Sequence, residues 1–139
     1  LELTRDCYRA NGMDADIVDY IEDMAAAYSW ADLVVCRAGA MTIAELAAVG
    51  VGSILVPYPH AVDDHQTANA RYLSDSGCAV LIPEHELSAG KLAEVLSDLC
   101  ASRQRLLDMA AECRSLARPH ATREVANHCL EVACAWSTK

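Results

Sequence analysis

An α/β domain built on a parallel sheet flanked by helices is what this 139-residue sequence predicts, and three observations carry the expectation. Short apolar runs bounded by turn residues alternate with helical stretches through the first two thirds of the chain, the spacing of βαβ units. Those runs are unbroken rather than polar at every second position, as suits strands buried on both faces. The hydrophobic stock, 53% of the residues, is mainly Ala, Leu, Val and Ile with no Phe, a mix that packs helices closely on a sheet.

Taken in order, Leu1 to Asn11 reads as the end of a helix stopped by Asn11-Gly12. Ala15 to Tyr20 reads as a short strand and Asp23 to Trp30 as a short helix. Leu33 to Cys36 is a buried-strand run, followed by the small-residue loop Arg37-Ala38-Gly39-Ala40 and a helix over Thr42–Val49 that Gly50 closes. Ser53 to Val56 is the next strand, stopped by Pro57 and Pro59. A polar loop, His60 to Asp64, leads into a helix over Gln66–Ser76 with Gly77 in the C′ position. Ala79 to Ile82 is a strand ended by Pro83, and helices over Ser88–Cys100, Arg103–Leu116 and Thr122–Trp136 complete the chain. Without a repeat, a low-complexity segment or a long linker, residues 1–139 are expected to form one domain. The sequence opens on Leu1, inside what reads as an amphipathic segment, which predicts a piece of a longer protein.

Composition excludes several classes. A net charge of −9 without a basic stripe argues against duplex nucleic acid as a partner. An anionic ligand would have to be held by local dipoles rather than by the overall field. No apolar run reaches the ~18 residues of a membrane span. Seven cysteines are present, an odd number with no C-x-x-C spacing, which predicts reduced thiols in a cytoplasmic protein rather than a disulfide framework or a zinc site. His60 and His65 beside Asp63 and Asp64 make a weak metal signal, and the expectation is no metal and no cofactor.

A parallel sheet binds ligands outside the carboxyl ends of its strands, so the segments after Tyr20, Cys36 and Val56 matter most. After Cys36, small residues lead into a helix. Its first amides are unpaired and its dipole places about half a positive charge there, which suits a diphosphate without any lysine. Thr42 adds a hydroxyl, and Glu45, one turn on, has two oxygens that can accept both hydroxyls of a ribose. The same Thr42-x-x-Glu45 spacing is a capping box, with Thr42 as the cap and Glu45 bonding back to it. After Val56, His65, Gln66 and Asn69 share a helix face and have the donors and acceptors that sugar hydroxyls need; a solvated helix start capped by Asp63 or Asp64 fits the same residues. After Tyr20, the backbone of Ile21 can pair with a base edge, or Ile21 is a core residue ahead of a helix capped by Asp23.

The runs Asp23-Met24-Ala25-Ala26-Ala27-Tyr28-Ser29-Trp30-Ala31-Asp32-Leu33-Val34-Val35-Cys36-Arg37-Ala38-Gly39-Ala40, Met41-Thr42-Ile43-Ala44-Glu45-Leu46 and Pro57-Tyr58-Pro59-His60-Ala61-Val62-Asp63-Asp64-His65-Gln66-Thr67-Ala68-Asn69-Ala70 closely resemble the MurG family of glycosyltransferases. The resemblance implies a Rossmann-like, C-terminal donor domain of the two-domain GT-B architecture. It implies UDP-GlcNAc as the donor, and a lipid-linked acceptor and the membrane surface met only through an N-terminal domain absent from this chain. The parent would be an inverting hexosyltransferase of peptidoglycan synthesis, peripheral on the cytoplasmic face of the bacterial inner membrane. Carried over by motif, Ile21 would recognise uracil through its backbone. Ala40, Met41 and Thr42 would line the diphosphate and sugar, with Ile43 and Ala44 completing that helix start. Glu45 would bind the ribose, and Gln66 with His65 would meet the GlcNAc. Two departures stand out: Ala38 where many members have Ser, and His65 where some have a second Gln. No catalytic residue is expected in the chain. The competing readings are another GT-B enzyme, such as a glycolipid transferase or a UDP-GlcNAc epimerase, and a non-catalytic nucleotide-binding module.

Overall fold

The computed structural model describes residues 1–60 and 62–137, and the chain divides into two compact units, Leu1–Trp30 and Ala31–Lys139. The first unit holds helix α1 (Glu2–Ala10) and helix α2 (Met24–Trp30). Asn11 stops α1, with its amide on the carbonyls of Cys7 and Tyr8, and Gly12 follows with φ +66°. Asp23 caps α2, its carboxylate accepting from the Ala26 N–H at 2.9 Å.

The strand expected over Ala15–Tyr20 is not formed. Asp14, Asp16 and Asp19 interleave its apolar residues, and aspartate is poorly suited to a pleated surface. A strand also needs a ladder, and the carbonyl of Ile17 instead accepts from the Arg5 guanidinium at 2.8 Å.

The second unit is an open parallel sheet of three strands flanked by helices. Strands β1 (Val34–Cys36), β2 (Ser53–Leu55) and β3 (Ala79–Leu81) lie in chain order, with Val35 opposite Ile54 and Ile54 opposite Val80. The central strand β2 is buried throughout, as its unbroken apolar run requires. Helix α3 (Ala40–Val49) joins β1 to β2, and helix α4 (His65–Ser74) joins β2 to β3. Three helices follow: α5 (Ala89–Cys100), α6 (Arg103–Ser115) and α7 (Ala121–Ser137). Ser88 and Ser102 cap α5 and α6 by accepting from the amides of Lys91 and Arg105.

Ile54, Ile82, Leu99 and Met109 form a core cluster in which the strands meet α5 and α6, with Leu33, Val80, Leu96 and Leu106 packed around it. Leu46 of α3 and Leu73 of α4 are also fully buried. Each such side chain contributes roughly 1.5–3 kcal/mol. Helix α7 contributes no buried residue among its described side chains.

Two glycines end helices where expected. The Gly77 amide bonds to the Ser74 carbonyl and the Cys78 amide to the Leu73 carbonyl, the paired bonds of a left-handed cap with Gly77 at C′ and φ +78°. Gly50 ends α3 at φ +75°. No disulfide forms among the described residues. Cys78 and Cys113 are buried neighbours, and burial pushes the Cys113 thiol up to about 11, so both stay protonated and unreactive at neutral pH.

Candidate functional site

The carboxyl ends of β1, β2 and β3 present three loops on one edge of the sheet, and side chains tie these loops to one another. The first loop, Arg37 to Gly39, delivers the chain into α3. Gly39 is the N-cap, extended at φ −66° and ψ 147°, and as a glycine it brings no side chain to cap the helix. The Ile43 amide makes the first intrahelical bond, to the Gly39 carbonyl at 3.0 Å. The amides of Ala40, Met41 and Thr42 therefore precede the helical ladder and open towards the loop edge.

This geometry corrects the capping-box reading. The cap lies three residues before Thr42, so Thr42 occupies N3 and Glu45 lies in the second turn. The spacing Thr42-x-x-Glu45 falls wholly inside the helix, where no box can close. Thr42 and Glu45 are half-buried, Ala40 and Met41 exposed, Ile43 buried and Ala44 exposed. A side chain added at Gly39 would meet only Thr42 Oγ1, at 3.5 Å, an ordinary contact. Neither packing nor φ demands glycine there.

The second loop follows β2. After Pro57 come Tyr58, Pro59 and His60, then a short 3-10 turn, Val62–Asp64; Ala61 lies outside the described residues. Asp63 and Asp64 hold left-handed φ values of 53° and 50°, a conformation aspartate tolerates better than most residues. Asp64 occupies the N-cap of α4, but its carboxylate accepts from the Thr67 hydroxyl rather than from a backbone amide. Gln66 and Asn69 are half-buried and bonded, which corrects the reading of a merely solvated helix start. Gln66 Oε1 accepts from the Tyr58 N–H at 3.0 Å, and Asn69 Nδ2 donates to the Ala38 carbonyl at 3.0 Å. His65 is exposed at the start of α4. The ring of His60 stands edge-on to Tyr58 at 5.6 Å. Among the described residues no group of three or more His, Cys, Asp or Glu is placed to hold a metal.

Arg37, which sequence reasoning passed over, joins all three loops. Its Nη1 donates to the Pro57 carbonyl at 3.2 Å and to the Val56 carbonyl at 3.4 Å, and pairs with the Glu84 carboxylate beyond β3. Its guanidinium also lies over the Tyr58 ring, 5.6 Å from the centroid. No sequence signal marks such a residue, because its partners lie 19 to 47 positions away. Cys36, at the end of β1, is no nucleophile, since burial raises its thiol pKa.

Ile21 belongs to the first unit. It is 44% exposed in an irregular segment beside Tyr20 and Met24, so it is not a core residue. Together with Thr4, Tyr8 and Val18 it lines an open groove of about 550 Å³.

Comparison with known proteins bears on this arrangement. Residues 1–125 match the family described as the glycosyltransferase family 28 C-terminal domain. The protein named UDP-N-acetylglucosamine--N-acetylmuramyl-(pentapeptide) pyrophosphoryl-undecaprenol N-acetylglucosamine transferase from Marinobacter nauticus is 53% identical over 96% of the chain. The protein of that name from an Azoarcus species is 55% identical over the same share. The chain spans 37% of the length of each. The crystal structure of Acinetobacter baumannii MurG superposes with a TM-score of 0.85 at 42% identity, covering 91% of this chain and 38% of that one.

Proposed function

Because the chain belongs to the glycosyltransferase family 28 C-terminal domain family, we propose that it is the UDP-GlcNAc-holding half of an inverting glycosyltransferase. Its parent would transfer N-acetylglucosamine to a lipid-linked muramoyl-pentapeptide in peptidoglycan synthesis. The observation that carries this reading is the uncapped start of α3 at the carboxyl edge of the sheet. Three amides stand outside the helical ladder there, behind a glycine that protein packing does not require. A diphosphate lying across the Gly39 backbone gives both features a use.

In this reading the amides of Ala40, Met41 and Thr42 meet the diphosphate, with the Thr42 hydroxyl beside them. Ile43 is buried and anchors the helix start, while Ala44 forms its outer wall. Glu45 accepts the two ribose hydroxyls. Gln66 has its oxygen committed to the Tyr58 amide, so its NH₂ is the end it offers to the sugar. His65 flanks it. The acceptor hydroxyl attacks the anomeric carbon as UDP departs, and the α3 amides stabilise the charge growing on the leaving diphosphate. The acceptor and the membrane surface would be met through parts of the parent outside this chain, which spans 37% of its relatives' length. The chain by itself is therefore expected to bind donor without turning it over. Its thiols suit the reducing cytoplasmic side of the membrane, and no helix among the described residues is long and apolar enough to cross one.

Titration with UDP, UDP-GlcNAc and ADP tests the reading. Saturable binding of the two uridine ligands is expected, weakened about tenfold in Glu45→Ala, the loss of hydrogen bonds to a charged acceptor. A melting curve of Glu45→Ala recorded alongside separates lost binding from lost stability. An equal response to ADP would favour a general nucleotide module. Absence of any uridine nucleotide binding by a folded chain would refute the donor site.

A further inference from the structure

We infer that Arg37 is a positioning residue that fastens the three loops of the site, with Glu84 as its counter-charge, and that it is not itself a ligand of the diphosphate. The inference rests on the donor-site reading above and extends it to a residue that touches no part of the donor.

Arg37 precedes the α3 cap by two positions, so its backbone belongs to the loop that feeds the amide-bearing helix start. Its side chain leaves that loop and crosses to two others. One guanidinium nitrogen reaches the carbonyls of Val56 and Pro57, at the point where β2 becomes the sugar-side loop. It also meets the carboxylate of Glu84, past the end of β3. The plane covers Tyr58, whose amide holds Gln66. Moving Arg37 would therefore shift, in one chain of contacts, the start of α3, the loop carrying Tyr58 and the amide of Gln66. Asn69 reinforces the first of these loops by holding the Ala38 carbonyl.

The charge arithmetic argues against a direct role. The Arg37 cation is matched by Glu84, so the pair adds no net attraction for an anion. Its Nη1 is committed to protein acceptors, the carbonyls of Val56 and Pro57 and the Glu84 carboxylate, so that nitrogen fastens loops rather than awaiting an anion. The pair is about half exposed, which makes it a weak source of global stability. Its consequence is geometric.

The two roles make opposite predictions for Glu84. If Arg37 fastens loops, Glu84→Ala frees the guanidinium to swing away, and UDP binding to the chain weakens, by roughly threefold. If Arg37 were a phosphate ligand, the same change would remove a competing anion and tighten binding. Arg37→Gln is expected to weaken UDP binding roughly tenfold. Arg37→Lys should recover only part of that loss, because an ammonium keeps the charge opposite Glu84 but lacks the planar face that lies over Tyr58. Amide hydrogen exchange on the unliganded chain supplies a reading independent of nucleotide. Exchange at Tyr58 should accelerate in Arg37→Gln while the melting temperature stays within a few degrees of the parent. Tighter binding in Glu84→Ala, or unchanged binding and unchanged Tyr58 exchange in Arg37→Gln, would overturn the inference while leaving the donor site standing. A parent chain that ignores UDP overturns the donor site instead, and the exchange comparison then decides alone whether the loops are fastened.

Discussion

Ala40→Pro is expected to leave the fold intact and to weaken UDP binding roughly a hundredfold, one lost charge-assisted amide bond plus ring bulk where the phosphate sits. Proline is ordinarily destructive in a helix because it lacks an N–H and clashes with the preceding turn. Ala40 escapes both penalties. It is the first helical residue, and its amide precedes the first intrahelical bond, made by Ile43. The residue before a proline is pushed towards extended backbone, and Gly39 is already there at ψ 147°. Ala40 is also exposed, so the ring meets solvent rather than core. The substitution therefore deletes one donor from the proposed diphosphate cradle and nothing else that the fold uses. Calorimetric titration with UDP, paired with a melting curve, separates the two quantities. A variant that melts normally and binds UDP like the parent would show that the α3 amides do not hold the nucleotide.

Gly50→Val should lower the melting temperature by roughly 12 °C, following a loss of about 2–4 kcal/mol. Gly50 closes α3 at φ +75°, and a side chain there would lie 2.9 Å from the Arg114 Cβ and 3.1 Å from the Ala110 carbonyl. The left-handed conformation costs an L residue about 1–2 kcal/mol, and the overlap with α6 adds a comparable amount. Gly77 provides an internal control. It shares the conformation, at φ +78°, but a side chain there meets nothing within 4 Å. Gly77→Ala should thus lose only the conformational part, about 1–2 kcal/mol. Equal thermal shifts in the two variants would show that the crowding at Gly50 relaxes at no cost.

The sheet was legible because its strands are unbroken apolar runs closed by glycine or proline, and β1, β2 and β3 fall within the expected segments. Helix ends marked by Gly50 and Gly77 were equally readable, since a left-handed residue has a specific job in satisfying a helix terminus; the Ser88 and Ser102 caps emerged only from the structure. Two expectations failed for identifiable reasons. The run over Ala15–Tyr20 holds Ile17, Val18 and Tyr20, but aspartates interleave them and no ladder forms in that segment. The Thr42-x-x-Glu45 spacing is the same whether the pair straddles a helix start or sits inside it, and only the backbone at Gly39 decides. At the candidate site, the amides of α3 were readable as a strand-to-helix junction. The joining of loops by Arg37, Gln66 and Asn69 was not, because each bond spans 8 to 47 residues and leaves no local periodicity.

The uncapped start of α3 also bears on how ionic strength acts. A chain of net charge −9 repels an approaching nucleotide at long range, and added salt screens that repulsion. In the proposed donor site the attraction would come from backbone dipoles in close contact, beyond the reach of most screening, and the cation of Arg37, two positions before the cap, is paired with Glu84. Affinity for UDP should therefore hold steady or rise with added salt, whereas a pocket that grips phosphate with lysines would lose affinity as salt is added. A steep decline would mean that mobile cationic side chains, not fixed amides, supply the grip.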